Sequence, residues 1–369
     1  MRYPIEKISL PPLLVPMSLA GEALVRLDER MLRSNVGGGL AERMHYADAV
    51  SSLWVDGELV HMEDLVFHDA RMDTRAPTHE LTVAHLVLRS RRDILQHPPG
   101  WALTEEGLTR LRGREVAEGT DMSPRTLLPD NRPEESGDFD DPDAAFFAEL
   151  DTFDAILKRS EAVMDEVKKH RRKAGAQDRE AIVYDVDWNE QERLEDWQAL
   201  IAEVESLPSI LGAAILLDAW QSQDVSEHSP WLGRLLAAAY LRKGGVTTHH
   251  LAAISVGLKA IPRERRHSKN RMQRLLAILE AFEQAGRIGL NEHDRLLLAR
   301  GNLERKAKGR RSNSKLPDLI DLVLARPLVS AGLVAKVLDT TPQGALGLIN
   351  ALPLRELTGR GRFRAWGIL

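Results

Sequence analysis

The sequence predicts a mainly α-helical protein whose last fifty-odd residues form a small separate domain ending in a β-hairpin. Three observations carry this. Apolar residues recur at three- and four-residue spacing through most of the chain, the period of a half-buried helix. Two stretches dense in proline or charge interrupt that pattern and read as boundaries. The net charge of -5 is also unevenly spread. Residues 301–369 hold twelve Lys/Arg against five Asp/Glu, about +7, which leaves 38 against 50, or -12, for residues 1–300. A basic tail on an acidic body is expected when one module meets phosphate and the other repels it.

At 369 residues and 43% hydrophobic content, the chain can build two or three domains with real cores. It has no cysteine. That excludes disulfides, thiol chemistry and the usual zinc-finger spacings, and is compatible with a reducing cytoplasm. No basic segment leads into a long apolar run near Met1, and no 18-residue apolar span follows. The expectation is a cytoplasmic protein with no membrane partner.

Residues 1–125 read as an N-terminal helical region. Pro4, Pro11, Pro12 and Pro16 make its start irregular. A helix is expected over 19–32, broken by Gly37, Gly38 and Gly39, and a second over 40–55, stopped by Asp56-Gly57. Others are expected from Met62, over 78–95 and over 105–116. Residues 126–143, proline-bearing and acidic, read as a solvated linker. Residues 144–300 read as a helical core, with helices over 144–167, 187–207, 210–220, 231–241, 251–259 and 271–285. Trp188 and Trp197 belong to its interior. Residues 301–315, rich in Lys and Arg, read as a flexible basic linker able to track phosphates.

Residues 316–369 hold the strongest local grammar. Leu319, Ile320, Leu322 and Val323 give a first helix an apolar face before Pro327. Ser330 caps a second helix, and Asp339-Thr340 makes the turn. Thr341-Pro342 opens a third, a capping hydroxyl followed by proline at the first helical position. Ala345, Leu348, Ile349 and Leu352 would be its buried face. Gln343, Gly344, Gly347 and Asn350 would face out. After Pro353, residues 354–357 and 362–366 form a hairpin around a turn at 358–361, bearing Arg360, Arg362 and Arg364. This is the layout of a winged helix-turn-helix, whose third helix enters the major groove while the wing touches the backbone. Amides such as Gln343 and Asn350 read adenine edges, and arginines grip phosphate or guanine. Two glycines in one helix cost about 1 kcal/mol each against alanine, which suggests close approach of another surface.

Other constellations are weaker. His249-His250, and His61 with His68, lack the spacing of zinc ligands and are expected to be exposed or capping. Arg263, Arg265, Arg266, Lys269, Arg271 and Arg274 form a dense basic cluster. It reads either as a solvated helix end paired with the acidic linker or as a second phosphate-contacting face.

Three stretches together resemble the Fic family, whose helical core transfers AMP to a hydroxyl of a target protein. Ser51-Ser52-Leu53-Trp54-Val55-Asp56-Gly57 looks like its inhibitory motif Ser/Thr-x-x-x-Glu-Gly/Asn, with Ser52 and Gly57 matching and Asp56 as a shortened glutamate. Leu232-Gly233-Arg234 is similar to the end of the signature His-Pro-Phe-x-x-Gly-Asn-Gly-Arg-x-x-Arg, which places Arg234 on the second arginine. The ending is similar to the winged helix that follows the core in many Fic proteins. The resemblance implies a Fic-like helical body before the terminal domain, and also where chemistry fails. Trp231 stands for the first arginine, residues 228–230 for the glycine loop and Gln223 for the general base, and an amide cannot take that proton. His228 lies five residues on, in a register without the loop or the arginines. The chain also looks like plasmid-borne rhizobial proteins that pair a domain of unknown function with a C-terminal helix-turn-helix.

The expected function is therefore a DNA-binding regulator, working as a homodimer. Its catalytically degenerate Fic-like body, in which Arg234 is read as a surface charge, would serve dimerisation or the sensing of a small-molecule or protein ligand. No metal or cofactor is expected. The alternative is an active protein nucleotidyltransferase, and only there does ATP or another nucleotide enter.

Overall fold

In the first helix, α1 (Leu14–Arg33), Ala20, Ala23, Leu24, Leu27 and Met31 are buried on one face, which packs inward as their spacing dictates. The structure, a computed structural model, describes residues 3–72, 76–120, 190–226, 229–308, 315–357 and 364–368. The acidic linker over 126–143, the helix expected over 144–167, Trp188, His228, Arg360, Arg362 and residues 309–314 of the basic linker lie outside them.

Helix α2 (Gly37–Asp56) starts at the glycines that the sequence reads as a breaker. A Cβ on Gly37 would lie 2.1 Å from the Met31 carbonyl oxygen, and one on Gly39 3.3 Å from the backbone of Leu324. Two other chain segments press on the first turn of α2, so side chains are excluded there while the helix continues. Gly57, at φ 95°, ends α2 as Asp56-Gly57 predicts. Then come α3 (Met62–Asp69) and α4 (His79–Gln96), whose first turn is capped by the Thr78 hydroxyl accepting from the Leu81 N–H. Helix α5 (Glu105–Thr120) closes the N-terminal region.

The body continues with α6 (Glu190–Val204), α7 (Ser209–Ser222) and α8 (Pro230–Lys243). Residues 210–220 of α7 and 231–242 of α8 are buried on every side, as expected of helices apolar around their circumference. After α9 (Ile254–Lys259) and α10 (Arg263–Arg266) comes α11 (Arg271–Ala307). Its 37 residues span about 55 Å. The sequence predicts its end at residue 285. It continues because Gly286 and Gly289 sit against α1: added Cβ atoms would meet Ala23 at 2.7 Å and Leu27 at 2.4 Å. Leu303, inside the stretch read as a flexible linker, is buried within this helix.

The terminal domain contains α12 (Leu316–Ala325), α13 (Ala331–Val337) and α14 (Pro342–Asn350). Strands β1 (Val329–Ser330), β2 (Arg355–Glu356) and β3 (Ala365–Gly367) form an antiparallel sheet in the order β1-β3-β2. Val329 lies opposite Trp366, and Arg355 opposite Gly367. The expected hairpin thus gains a third strand. That strand is two residues long and ends at Ser330, whose hydroxyl also caps α13 by accepting from the Leu333 N–H, and a strand this short has no periodicity to read. The domain shares one apolar cluster with the body: Leu27, Met31, Leu40 and Met44 meet Leu296, Leu303, Leu319, Ile320, Val323 and Trp366.

Candidate nucleic-acid interface and a buried arginine site

Helix α14 sits on the terminal domain through Ala345 and Ile349, which are buried, with Leu346 and Leu348 partly so. The Thr341 hydroxyl accepts from the Gly344 N–H at 3.0 Å, the expected cap. Asp339, at φ 46°, makes the turn before it, a left-handed position that aspartate tolerates. Lys315 Nζ donates to the Asp339 carbonyl at 2.7 Å and pins that turn.

On the outward side Thr341, Gln343, Gly347 and Asn350 are exposed, and Gly344 is half-buried. This face is polar and carries no charge. A Cβ on Gly347 would meet nothing within 4 Å, so the fold does not require glycine there. Gly344 is different, since its Cβ would come 2.7 Å from the Thr340 hydroxyl. On the sheet, Arg364 makes a bidentate pair with Glu356 at 2.9 and 2.6 Å and stacks on Trp366. Arg355 is exposed beside it.

The residues singled out around Arg234 come together in part. Arg234 is 1% exposed, not a surface charge. It lies on the inward side of α8, where Nη1 donates to the Asp56 carboxylate at 2.9 Å and Nη2 to the Ser52 hydroxyl at 2.8 Å. Ser52 and Asp56, one helical turn apart on α2, thus hold one guanidinium, and Gly57 ends the helix beneath them. Trp231 is buried in the apolar core, and a Cβ on Gly233 would lie 2.3 Å from Trp220, so α7 and α8 close tightly there. Gln223 caps the end of α7, its carbonyl accepting from Arg193.

Sequence reasoning missed the charged seam beneath the terminal domain. Arg43 of α2 donates from Nη1 to the carbonyls of Val323 at 3.2 Å and Arg326 at 2.6 Å, satisfying the end of α12. Its Nε donates to Glu292. Arg295 pairs with Glu292 and donates to the Ile368 carbonyl. Asp69 accepts from Arg326 at 2.7 Å and from Arg92 at 2.7 and 3.0 Å, with Tyr46 also donating to it. Burial alone would raise the Asp69 pKa. Hydrogen bonds from His85 and Arg92, and their charge, outweigh burial and hold it at about 2. The one cue in the sequence was a charged residue on an otherwise apolar helix face.

The histidine and arginine clusters also differ from expectation. His250 is buried and bonded through Nδ1 to Asp28, while the His249 amide donates to the same carboxylate. Of the basic cluster, Arg274 pairs with buried Asp218 at 2.6 Å, Arg271 donates to the Pro4 carbonyl and Arg265 pairs with Glu280. These charges bind the protein to itself.

Helices α12 to α14 with their small sheet make a helix-turn-helix domain, and residues 316–369 match the family described as an HTH DNA binding domain. Residues 182–308 match a family described as a protein of unknown function, DUF1612. Over the full length of both chains, the protein is 49% identical to the uncharacterized protein y4cF of Sinorhizobium fredii strain NBRC 101917 / NGR234. The chain belongs to the family of that rhizobial protein, a DUF1612 segment joined to a C-terminal DNA-binding domain. No helix among the described residues is long and apolar enough to cross a membrane.

Proposed function

We propose that the protein is a sequence-reading DNA-binding regulator. One observation carries the reading: the outward side of α14 presents Gln343, Gly347 and Asn350 to solvent while its other side is locked to the domain core. We read the sheet as a wing: exposed Arg355, and Arg364 on release from its pair with Glu356, would meet the sugar-phosphate backbone, joined by Arg360 and Arg362, which lie between β2 and β3 in sequence. A homodimer on a two-fold site is the natural mode, and the body would supply its contact. The packed seam under α12 supports this, since a terminal domain fixed to the body lets the body set half-site spacing. The setting would be cytoplasmic, with no cofactor. Binding of the full chain to a selected DNA site, tested by gel shift, decides the matter. Loss of binding on Gln343→Ala with Asn350→Ala is expected, whereas unchanged binding overturns the assignment.

We read the body as a Fic-like scaffold without transfer chemistry. The convergence of Ser52, Asp56 and Arg234 favours the kinship. Trp231 in the core and Gln223 in place of a base argue against AMP transfer. Label from ATP appearing on any protein in a lysate, and lost in His228→Ala, would restore the enzymatic alternative.

A further inference from the structure

More than half of the large apolar side chains exposed among the described residues lie on two neighbouring helices. Leu14, Val15, Leu19, Val25 and Leu32 project from α1, with Val15 68% exposed. Leu297 and Leu298 project from α11, with Leu298 72% exposed. The two helices run side by side in the same direction. Added Cβ atoms on Gly286 and Gly289 would meet Ala23 and Leu27, Arg30 pairs with Asp294 at 2.8 Å, and Arg300 donates to the Asn35 carbonyl at 3.0 Å. Leu298 follows Asp294 by one turn, so it stands beside the end of α1 that carries Leu32.

This surface has a pattern along its length. Its start is apolar, with Leu14, Val15 and Leu19, and so is its end, where Leu32 adjoins Leu297 and Leu298. Along the second half of α1 the exposed residues Glu22, Arg26, Glu29 and Arg33 alternate in sign, paired along the helix as Glu22 with Arg26 and Glu29 with Arg33. Exposed apolar surface edged by polar groups marks a protein contact. The pattern is also self-complementary. Turned end for end, the apolar start meets the apolar end and acid meets base. A two-fold contact demands this, since residue i faces residue j while j faces i.

We propose that the outward faces of α1 and α11 form a two-fold contact with a second copy of this chain, the two α1 helices antiparallel and crossing near Leu24. Glu22 then faces Arg26 of the second copy, and Leu14 and Val15 face its Leu32 and Leu298. Helix α1 is about 30 Å long and the helix pair about 20 Å wide, so the contact buries roughly 1,200 Å² in total, the lower end for a specific interface. The proposal rests on the homodimer read above and gives it a surface. It also sets the distance between the two DNA-reading domains, because Leu27 and Met31 share the terminal domain's apolar cluster. The end of α1 lies about 14 Å from the axis, so the two ends, with the terminal domains beside them, stand about 27 Å apart, against roughly 34 Å between half-sites.

The test is sedimentation velocity of the full chain at micromolar concentrations, without DNA, so its outcome leaves the reading of α14 untouched. Wild type should form a dimer. Glu22→Arg and Arg26→Glu, both at exposed positions, should each keep the wild-type helix content and weaken dimerisation at least about tenfold, because like charges then face each other. Mixing the two variants should restore a one-to-one dimer, since the bases of one copy then face the acids of the other. Leu298→Asp, on the other helix, should also weaken the dimer, and it serves if a charge variant misfolds. A wild-type dimer that all three variants leave intact overturns this surface while sparing the homodimer. A monomeric wild type overturns both. Two folded charge variants that stay monomeric when mixed overturn the antiparallel register, and the proposal with it.

Discussion

The terminal domain has two sides that use polar residues in opposite ways. Its inner side is crowded with charge that is matched atom for atom: Arg43 on the carbonyl end of α12, Arg326 on Asp69, and Arg295 bridging Glu292 and Ile368. Its outer side, on α14, holds Gln343 and Asn350, exposed and with no side-chain hydrogen bond among the described residues. Polar groups buried in a seam must be paired, because an unmet donor or acceptor there costs the full desolvation penalty. Groups on a reading surface keep their donors and acceptors available. The comparison separates residues that hold the domain in place from residues that can recognise something outside it.

The largest effect should come from the inner side. Arg43→Ala takes that donor from the Val323 and Arg326 carbonyls, leaves Glu292 to Arg295 alone, and should cost about 3 kcal/mol, measured as a lower urea midpoint. A loss under about 0.5 kcal/mol would mean that the seam is not an anchor. On the outer side, Gln343→Ala with Asn350→Ala should leave stability within about 0.5 kcal/mol of wild type. The same pair should weaken binding to a selected DNA site by about 2–3 kcal/mol, read from anisotropy titrations.

The seam should also be acid-sensitive. The folded pKa of Asp69, about 2, lies below its ordinary 3.8. Its contribution is therefore fully present above pH 4 and is lost as pH falls toward 2, a change of about 2 kcal/mol. Urea midpoints measured between pH 5 and pH 2 should fall more steeply in wild type than in Asp69→Asn. Parallel curves would remove Asp69 from the account.

The smallest effect sharpens the comparison most finely. Because nothing lies near Gly347, Gly347→Ala should stabilise the protein by up to about 1 kcal/mol through helix propensity. It should nonetheless weaken DNA binding, since the glycine is kept for an outside surface. Stabilisation with undiminished binding would leave the glycine without that role.

These two sides were not equally legible in sequence. The outer side was read nearly in full, because caps, turn residues and helical periodicity are local: Ser330, Thr341-Pro342, and the alternation of Ala345 and Ile349 with Gln343 and Asn350. The inner side was nearly opaque, since Arg43 meets the carbonyls of Val323 and Arg326 some 280 residues away, and a lone charge on an apolar helix face does not name its partner. Glycines misled for the same reason. The run from Gly37 to Gly39 was read as a helix breaker, yet Gly39 marks close approach of Leu324, and the helix expected to end at 285 runs on where Gly286 and Gly289 meet α1. Arg234 was misread as a surface charge because its partners, Ser52 and Asp56, lie on another helix. The three-residue likeness was visible, but their contact was not.

The central claim is that α14 reads DNA from a domain held rigidly on the helical body. Selection of bound sequences from a random duplex library by the full chain tests it most directly. The account predicts enrichment of a defined motif, lost when Gln343 and Asn350 are both alanine although the variant melts at the wild-type temperature. Recovery of no motif by wild type, or of the same motif by the double variant, would contradict it.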